Sequence, residues 1–264
     1  MIAGYRHFAS LARSLEWSPE SLDLSTDVRA WAGLPASRRR RLAALLAGFC
    51  VAESSVAREL EPFAAASADA ERNVVFAAQM ADEERHAEFF DRVAHEVLRL
   101  PGATVEERRT AARTAVGDDL LELFERRLPR MATALAADSV QLGRAVGLYH
   151  MVLEGIALAA GQRALLAELD DGVLPGVREG VKRVERDERW HVGFGLRCLL
   201  DLRPEPALMD RVLREGERAI GVWGEAVGTD IMTRVAAMHR RRLAAVGLVP
   251  AAAGRAQAAS SSVA

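Results

Sequence analysis

Four glutamates and two histidines stand where helix periodicity would place apolar side chains. Between Pro35 and Pro62 the residues Leu42, Leu45, Leu46, Phe49, Val56, Ala57 and Leu60 recur at steps of three and four, and Glu53 falls inside that stripe. Before Pro101 the stripe reads Phe76, Met80, Glu83, His86, Phe90, Val93 and Val97. After Asp138 it reads Gly143, Val146, Gly147, His150, Glu154, Ala157 and Leu158, and after Pro175 it reads Val177, Val181, Val184, Glu188, His191, Gly195 and Leu199. A carboxylate on a core face is costly unless it is paired or meets a cation. Glu and His three residues apart on a helix project side by side. The order is therefore Glu, Glu-x-x-His, Glu, Glu-x-x-His, with 30 residues from Glu53 to Glu83 and 34 from Glu154 to Glu188, each interval the length of a helix hairpin. Four inward helices would bring four carboxylates and two imidazoles into one pocket, the ligand set of a two-metal carboxylate centre. Two divalent cations would offset the four negative charges. Oxygen-rich ligands with one His per metal suit iron or manganese better than a closed zinc site. The competing arrangement is a bundle whose buried carboxylates pair with arginines.

The remaining histidines read differently. His7, His95 and His239 fit surface or hydrogen-bonded positions. His150 lies four residues before Glu154 on the same face, which suits a residue that supports the ligands or packs in the core better than a further ligand.

The elements that must position these groups are helical. Ala, Leu, Arg and Glu dominate, all strong helix formers, and no alternating strand pattern is flanked by turn residues. Residues 1–35 look irregular, with short helical pieces near Trp17 and from Asp27 to Trp31. The patterns predict a helix from a Ser37 cap to Glu61, a second from Asp69 to Leu100, and a third from Thr104 to about Arg127 with a break near Pro129. A fourth spans Asp138 to Leu169, a fifth runs from Pro175 to just before Pro204, and one or two more lie between Pro206 and Val246, with a break at Gly228. Long helices with short connections predict an all-α antiparallel bundle. The small, polar stretch over 250–264 reads as a disordered tail.

These residues resemble the ferritin-like superfamily, and within it the ribonucleotide reductase small subunit, over roughly residues 15 to 205. The segment LEWSPESLDLSTDVRAWAGLP is similar to that family's entry segment, and Asp187-Glu188-x-x-His191 to its fourth metal helix. The resemblance implies a hydrogen-bonded chain from Trp17 through Asp187 to His86. Reductase subunits usually carry a radical tyrosine four residues after the first metal histidine; Phe90 stands there, which argues against a conventional reductase role. The branch of R2-like ligand-binding oxidases is a closer match, on Val56 three residues after Glu53, Pro62-Phe63, and Tyr149 five residues before Glu154. That resemblance implies a manganese/iron centre, with di-iron as the alternative. Glu53, Glu83 and His86 would hold the first metal, and Glu154, Glu188 and His191 the second. It further implies dioxygen activation, a Tyr149–Val56 ether cross-link, a bound long-chain fatty acid or other apolar ligand, and a homodimer. On a regular helix Tyr149 lies about 140° round from Glu154, at the edge of the inward face. Gln162-Arg163 replace the aromatic residues expected two turns after Glu154.

The expected fold is thus a ferritin-like four-helix bundle with additional helices, forming one dimetal-carboxylate domain over 1–249. A di-metal oxygenase acting on a small metabolite, a reductase subunit and a metal-storage protein are the alternatives. Amine N-oxygenases often add a further His on the last metal helix, and Val184 stands there instead. Composition narrows the partners. The 264 residues carry 35 Lys+Arg against 37 Asp+Glu, for a net charge of -2, which gives no reason to expect nucleic acid. The run Arg38 to Arg41 reads as a solvated helix face. No long uncharged apolar run predicts a membrane span. The opening residues lack a signal-peptide core, so a cytoplasmic protein is expected. Cys50 and Cys198 read as small buried hydrophobes.

Overall fold

The computed structural model describes residues 2–250, and every regular element in them is helical. In chain order these are α1 (Tyr5–Leu15), α2 (Ser25–Gly33), α3 (Ala36–Val56), α4 (Glu61–Ala66), α5 (Ala70–Arg92), α6 (Val105–Arg113), α7 (Asp118–Leu121), α8 (Leu128–Ala137), α9 (Leu142–Val146), α10 (Ala159–Glu168), α11 (Pro175–Leu202), α12 (Pro206–Ala219) and α13 (Thr229–Ala245). Three π-helical segments continue α-helices without a break in the chain's course: Val93–Val97 after α5, Glu122–Arg127 between α7 and α8, and Gly147–Leu158 between α9 and α10. The buried apolar residues, from Tyr5 to Val249, make one contiguous core. The expected tail lies outside the described residues apart from Pro250.

Local chemistry explains most element boundaries. Asp69 caps α5 by accepting from the Arg72 amide at 2.9 Å, and Thr104 with Glu107 forms a reciprocal capping box at the start of α6. The long α11 begins at Pro175, where a missing N–H costs nothing. The next two amides donate to Asp27 of α2, Gly176 at 3.0 Å and Val177 at 2.8 Å. Asp27 is thereby buried and satisfied, and it ties the N-terminal segment to the fourth bundle helix.

Several boundaries differ from the sequence expectation. In the N-terminal region the short helical pieces expected near Trp17 and from Asp27 to Trp31 are present, as a 3-10 turn over Pro19–Ser21 and as α2, and a further helix, α1, stands where the pattern looks irregular. The buried face of α1, Tyr5, Phe8, Ala9 and Ala12, packs on the bundle. The first bundle helix starts at Ala36 without a Ser37 cap and stops at Val56. Pro62 falls in the first turn of a separate helix, α4, a position that tolerates proline. The chain breaks at 114–117 and then runs through Pro129 to Ala137, because the π-helical turn just before Pro129 already lacks the regular hydrogen-bond ladder that proline would interrupt.

The helical run Ser139–Glu168 is long and apolar enough to cross a membrane by composition alone, but 83% of its apolar window is buried by the other helices, as expected of the central helix of a bundle. Packing against it requires small residues. A Cβ added at Gly195 of α11 would lie 2.2 Å from the His150 Cβ. The Trp223 indole fills a slot between Gly48 and Gly161, where an added Cβ would meet the ring at 2.4 Å in each case. Its Nε1 donates to the Ala157 carbonyl at 2.7 Å. Cys50 and Cys198 are buried and unpaired. Arg38 and Arg41 pair with Asp171 and Glu168 beyond and at the end of α10.

Candidate metal centre

Four elements deliver one group or pair each to the middle of the bundle. Glu53 comes from α3, Glu83 and His86 from α5, Glu154 from the π-helical Gly147–Leu158, and Glu188 and His191 from α11. All six are buried. Two overlapping sets lie close enough to hold a metal ion each: Glu53, Glu83, His86 and Glu188, and Glu83, Glu154, Glu188 and His191, with ligand atoms within 4.8 Å of one another in each set. Glu83 and Glu188 belong to both.

The histidines face the carboxylates through Nδ1. His86 Nδ1 lies 3.4 Å from Glu83, 3.8 Å from Glu53 and 3.9 Å from Glu188. His191 Nδ1 lies 3.2 Å from Glu83, 3.4 Å from Glu154 and 3.8 Å from Glu188. Eight inward atoms have no hydrogen-bond partner: both oxygens of Glu53 and of Glu188, one each of Glu83 and Glu154, and the two Nδ1 atoms. Buried polar atoms are almost always satisfied, so eight orphans around one point are a cradle for cations, and the oxygen-and-imidazole donor set suits iron or manganese. Burial, reinforced by neighbouring carboxylates, pushes Glu53 and Glu154 well above the ordinary carboxylate range, and burial raises Glu188 as well. Divalent cations would reverse that tendency.

The opposite ring nitrogens are held by an exchanged pair of aspartates. Asp187, beside Glu188, receives His86 Nε2 at 3.4 Å and the Trp17 indole N–H at 2.7 Å on the same oxygen. Asp82, beside Glu83, receives His191 Nε2 at 3.3 Å and the Trp190 indole N–H at 3.2 Å. An arginine sits on each aspartate's other oxygen, Arg186 on Asp187 and Arg85 on Asp82. Each half-site therefore orients the histidine of the other, and the Nε2–H donation leaves Nδ1 available as a ligand. The chain Trp17–Asp187–His86 forms as expected. Its counterpart, Asp82 with Trp190 and Arg85, was not anticipated, although Asp-Glu-x-x-His occurs at both 82–86 and 187–191.

Gln79, one turn before Glu83, was also missed. Its Nε2 donates to Glu154 at 2.7 Å and to Glu83 at 3.2 Å, and its Oε1 lies 3.0 Å from His150 Nε2. Burial pushes the His150 imidazole down to about 3, so the ring is neutral and its Nε2–H donates to Gln79. His150 belongs to neither carboxylate set and supports the ligands through this amide. His239, expected at a surface or satisfied position, is instead fully buried, with neither ring nitrogen hydrogen-bonded. His7 and His95 are exposed.

Tyr149 reaches the centre through backbone geometry rather than side-chain length. Its element hydrogen-bonds from i to i+5, which places residues five apart nearly above one another and brings Tyr149 onto the face of Glu154. Its hydroxyl donates to Glu83 at 3.1 Å. Burial raises the phenol well above its ordinary value, keeping the proton that this bond uses. Val56 is buried one turn after Glu53 on α3, at the helix terminus. Phe63 packs against Tyr149 with ring centroids 5.3 Å apart. Phe90 stacks on Phe49 at 4.9 Å and 12°, so the position expected of a radical tyrosine holds an apolar pair.

Residues 5–220 match the family described as ribonucleotide reductase, small chain. The chain belongs to that family. Its fold is shared with solved structures of R2-like ligand-binding oxidases. A tyrosine-to-phenylalanine variant with an aerobically reconstituted Mn/Fe cofactor superposes with a TM-score of 0.75 at 21% identity, covering 94% of this chain and 93% of that one. A valine-to-leucine variant with an anaerobically reconstituted Mn/Fe cofactor gives 0.74 at 22%, covering 90% of each chain. A glycine-to-leucine variant with an aerobically reconstituted Fe/Fe cofactor gives 0.73 at 21%, covering 93% of this chain and 86% of that one. At this identity the likeness establishes the ferritin-like helical fold; the cofactors are those of the compared proteins.

Proposed function

We propose that this family member is an oxygen-activating dimetal oxidase of the R2-like ligand-binding type. Glu53, Glu83 and His86 would hold one ion and Glu154, Glu188 and His191 the other, with Glu83 and Glu188 within reach of both. The observation that carries this reading is the ring of eight buried, unpartnered ligand atoms on four helices. The pair, manganese/iron or di-iron, supplies dioxygen reduction and the oxidation of a C–H bond. The chain's residues do the rest. Asp187 and Asp82 fix the two imidazoles through their Nε2 protons. Gln79 holds Glu83 and Glu154 in register, and Phe49, Phe90 and Phe63 keep the surroundings dry. Tyr149 presents its hydroxyl proton to Glu83.

Tyr149 and Val56 are the proposed site of self-oxidation. An ether from the Tyr149 oxygen to the Val56 Cβ removes the phenolic hydrogen and the Cβ hydrogen, with dioxygen as the two-electron acceptor. The external ligand enters as an organic carboxylate. The long acyl chain implied by the resemblance would meet, beside Glu154 and Glu188, a cavity of about 50 Å³ that opens to the outside. Assembly as a homodimer belongs to the same reading and is checked by light scattering.

The test is metal content and intact mass before and after oxygen is admitted to protein loaded anaerobically with manganese and iron. Two metals per chain, oxygen consumption and a product lighter by two hydrogens with the Val56 and Tyr149 peptides joined are expected. Metal uptake and oxygen consumption at unchanged mass would remove the cross-link and leave an oxygenase with an external substrate. No metal uptake would overturn the whole reading. The family match favours one rival, a radical-generating subunit. It requires a large partner subunit to be captured and a radical carrier other than residue 90, which is Phe.

A further inference from the structure

The two sides of the carboxylate cluster differ in access. A cavity of about 50 Å³ reaches Glu154 and Glu188 from outside, with Gln162, Val192 and Arg242 in its walls and Arg163 at its rim. Gln162 is only 1% exposed, and its Nε2 has no hydrogen-bond partner. Arg242, from α13, buries its NH1 without a partner as well. That NH1 lies 3.3 Å from where a Cβ on Gly155 would stand, so the guanidinium rests against the backbone that carries Glu154. Among the described residues, neither Arg242 nor Arg163 pairs with a carboxylate; each donates only to the Met238 sulfur, Arg163 at 3.3 Å and Arg242 at 3.6 Å. Burial and then the like charge of Arg163 work against the Arg242 cation, and a bound anion would relieve both.

The charge balance points the same way. Two dications would offset the four ligand carboxylates, the imidazoles would be neutral as ligands, and Glu185 in the same wall is paired with Arg189, so Arg242 would be left as an uncompensated charge beside a neutral cluster. Two buried donors with no acceptor, one of them charged, are the complement of a carboxylate. The cavity volume limits the carbon body attached to that carboxylate. About 50 Å³ compares with roughly 300–1,000 Å³ for clefts that enclose drug-sized ligands, which leaves room for only a few heavy atoms.

We propose that this pocket selects a small organic monocarboxylate, its carboxylate on Arg242 and the Gln162 amide and its short carbon body directed at Glu154 and Glu188. The inference rests on the dimetal reading for its neutral floor. It names the substrate class of that same site and assigns specificity to Gln162 and Arg242, at the place where the sequence departs from the aromatic residues expected after Glu154.

The test is calorimetric titration of the full, metal-loaded chain with butyrate, butylamine and palmitate. It is repeated on Arg242→Met, Arg242→Lys and Gln162→Leu, with metal content measured for every sample. Butyrate is expected to bind the parent protein and butylamine not. Arg242→Met should weaken butyrate by roughly 10- to 100-fold, the loss of one charge-assisted contact, with Arg242→Lys recovering part of it and Gln162→Leu losing less. Equal butyrate affinity in parent and Arg242→Met at full metal content would overturn the proposal while leaving the dimetal reading intact. So would palmitate binding in preference to butyrate. If Arg242→Met fails to fold, the parent's ligand series and Gln162→Leu decide the matter by the same criteria. Chains that take up no metal would overturn the dimetal reading, and with it this inference.

Discussion

The two half-sites carry the same ligands in different surroundings. In the first, α3 and α5 are regular helices, Glu53 has both oxygens without partners, and the neighbouring stack is the apolar pair Phe49 and Phe90. In the second, Glu154 rides on a π-helical segment, is bound by Gln79, and borders a polar cavity with two unpaired arginines. On the dimetal reading the duplicated ligands would place two ions, while the surroundings of the two positions differ. The first half is closed and apolar, and on the proposed reading the second would offer the route by which a molecule from outside reaches the cluster.

The largest break in this symmetry comes from the shared carboxylates. Glu83→Ala or Glu188→Ala should abolish binding of both metals, whereas Glu53→Ala should lose mainly one; metal content per chain after gel filtration distinguishes them. Equal losses in all three would show that the halves do not bind separately. The exchanged aspartates sharpen the comparison next. Asp187→Asn should weaken the ion at His86, and Asp82→Asn the ion at His191, each by about 10- to 100-fold, read by competition with a chelator. Both variants affecting the same ion would contradict the crossed wiring.

A pH effect should follow from α13, beside the similar one from the buried, neutral His150. Burial pushes His239 down to about 4. The unfolded chain takes up a proton near pH 6.5 and the folded one does not. Stability is therefore lost as the pH falls from about 6.5 toward 4, by about 2 kcal/mol at pH 5. His239→Leu should reduce the slope of that part of the Tm-against-pH curve by about half, His150 supplying the rest, and an unchanged slope would assign the acid sensitivity elsewhere. The smallest effect is expected at the hydrogen bond to Glu83. Tyr149→Phe should cost about 1 kcal/mol of stability, retain both metals, and eliminate any mass loss on oxidation. A variant that still loses two hydrogens would place the oxidation at another residue.

Much of the centre was legible because its signal is local. Glu53, Glu154 and the two Glu-x-x-His pairs break apolar stripes at fixed helical spacing, and any helix formed there must turn them inward. The aspartates were readable in principle, since Asp precedes Glu in both pairs. Their crossing was not, because Asp82 and His191 are 109 residues apart. Gln79 was overlooked because an amide breaks an apolar stripe less visibly than a charge. The helix α1 was missed because its stripe is short and rich in small residues. The approach of Tyr149 to Glu83 is not legible from a period of 3.6 residues, since no residue pattern announces a π-helical run whose hydrogen bonds are held by packing.

The sequence alone thus determined the all-α class, the family, the inward carboxylates and histidines and their pairing into two halves. Helix periodicity acts over a few residues, and burial of an unpaired charge costs too much to be accidental. Tertiary structure decided which histidine each aspartate holds, how Tyr149 reaches Glu83, and that Arg242, 88 positions after Glu154 in the chain, stands beside it. Those relations join residues on different helices, and they exist only once packing has fixed the distance and the turn between those helices.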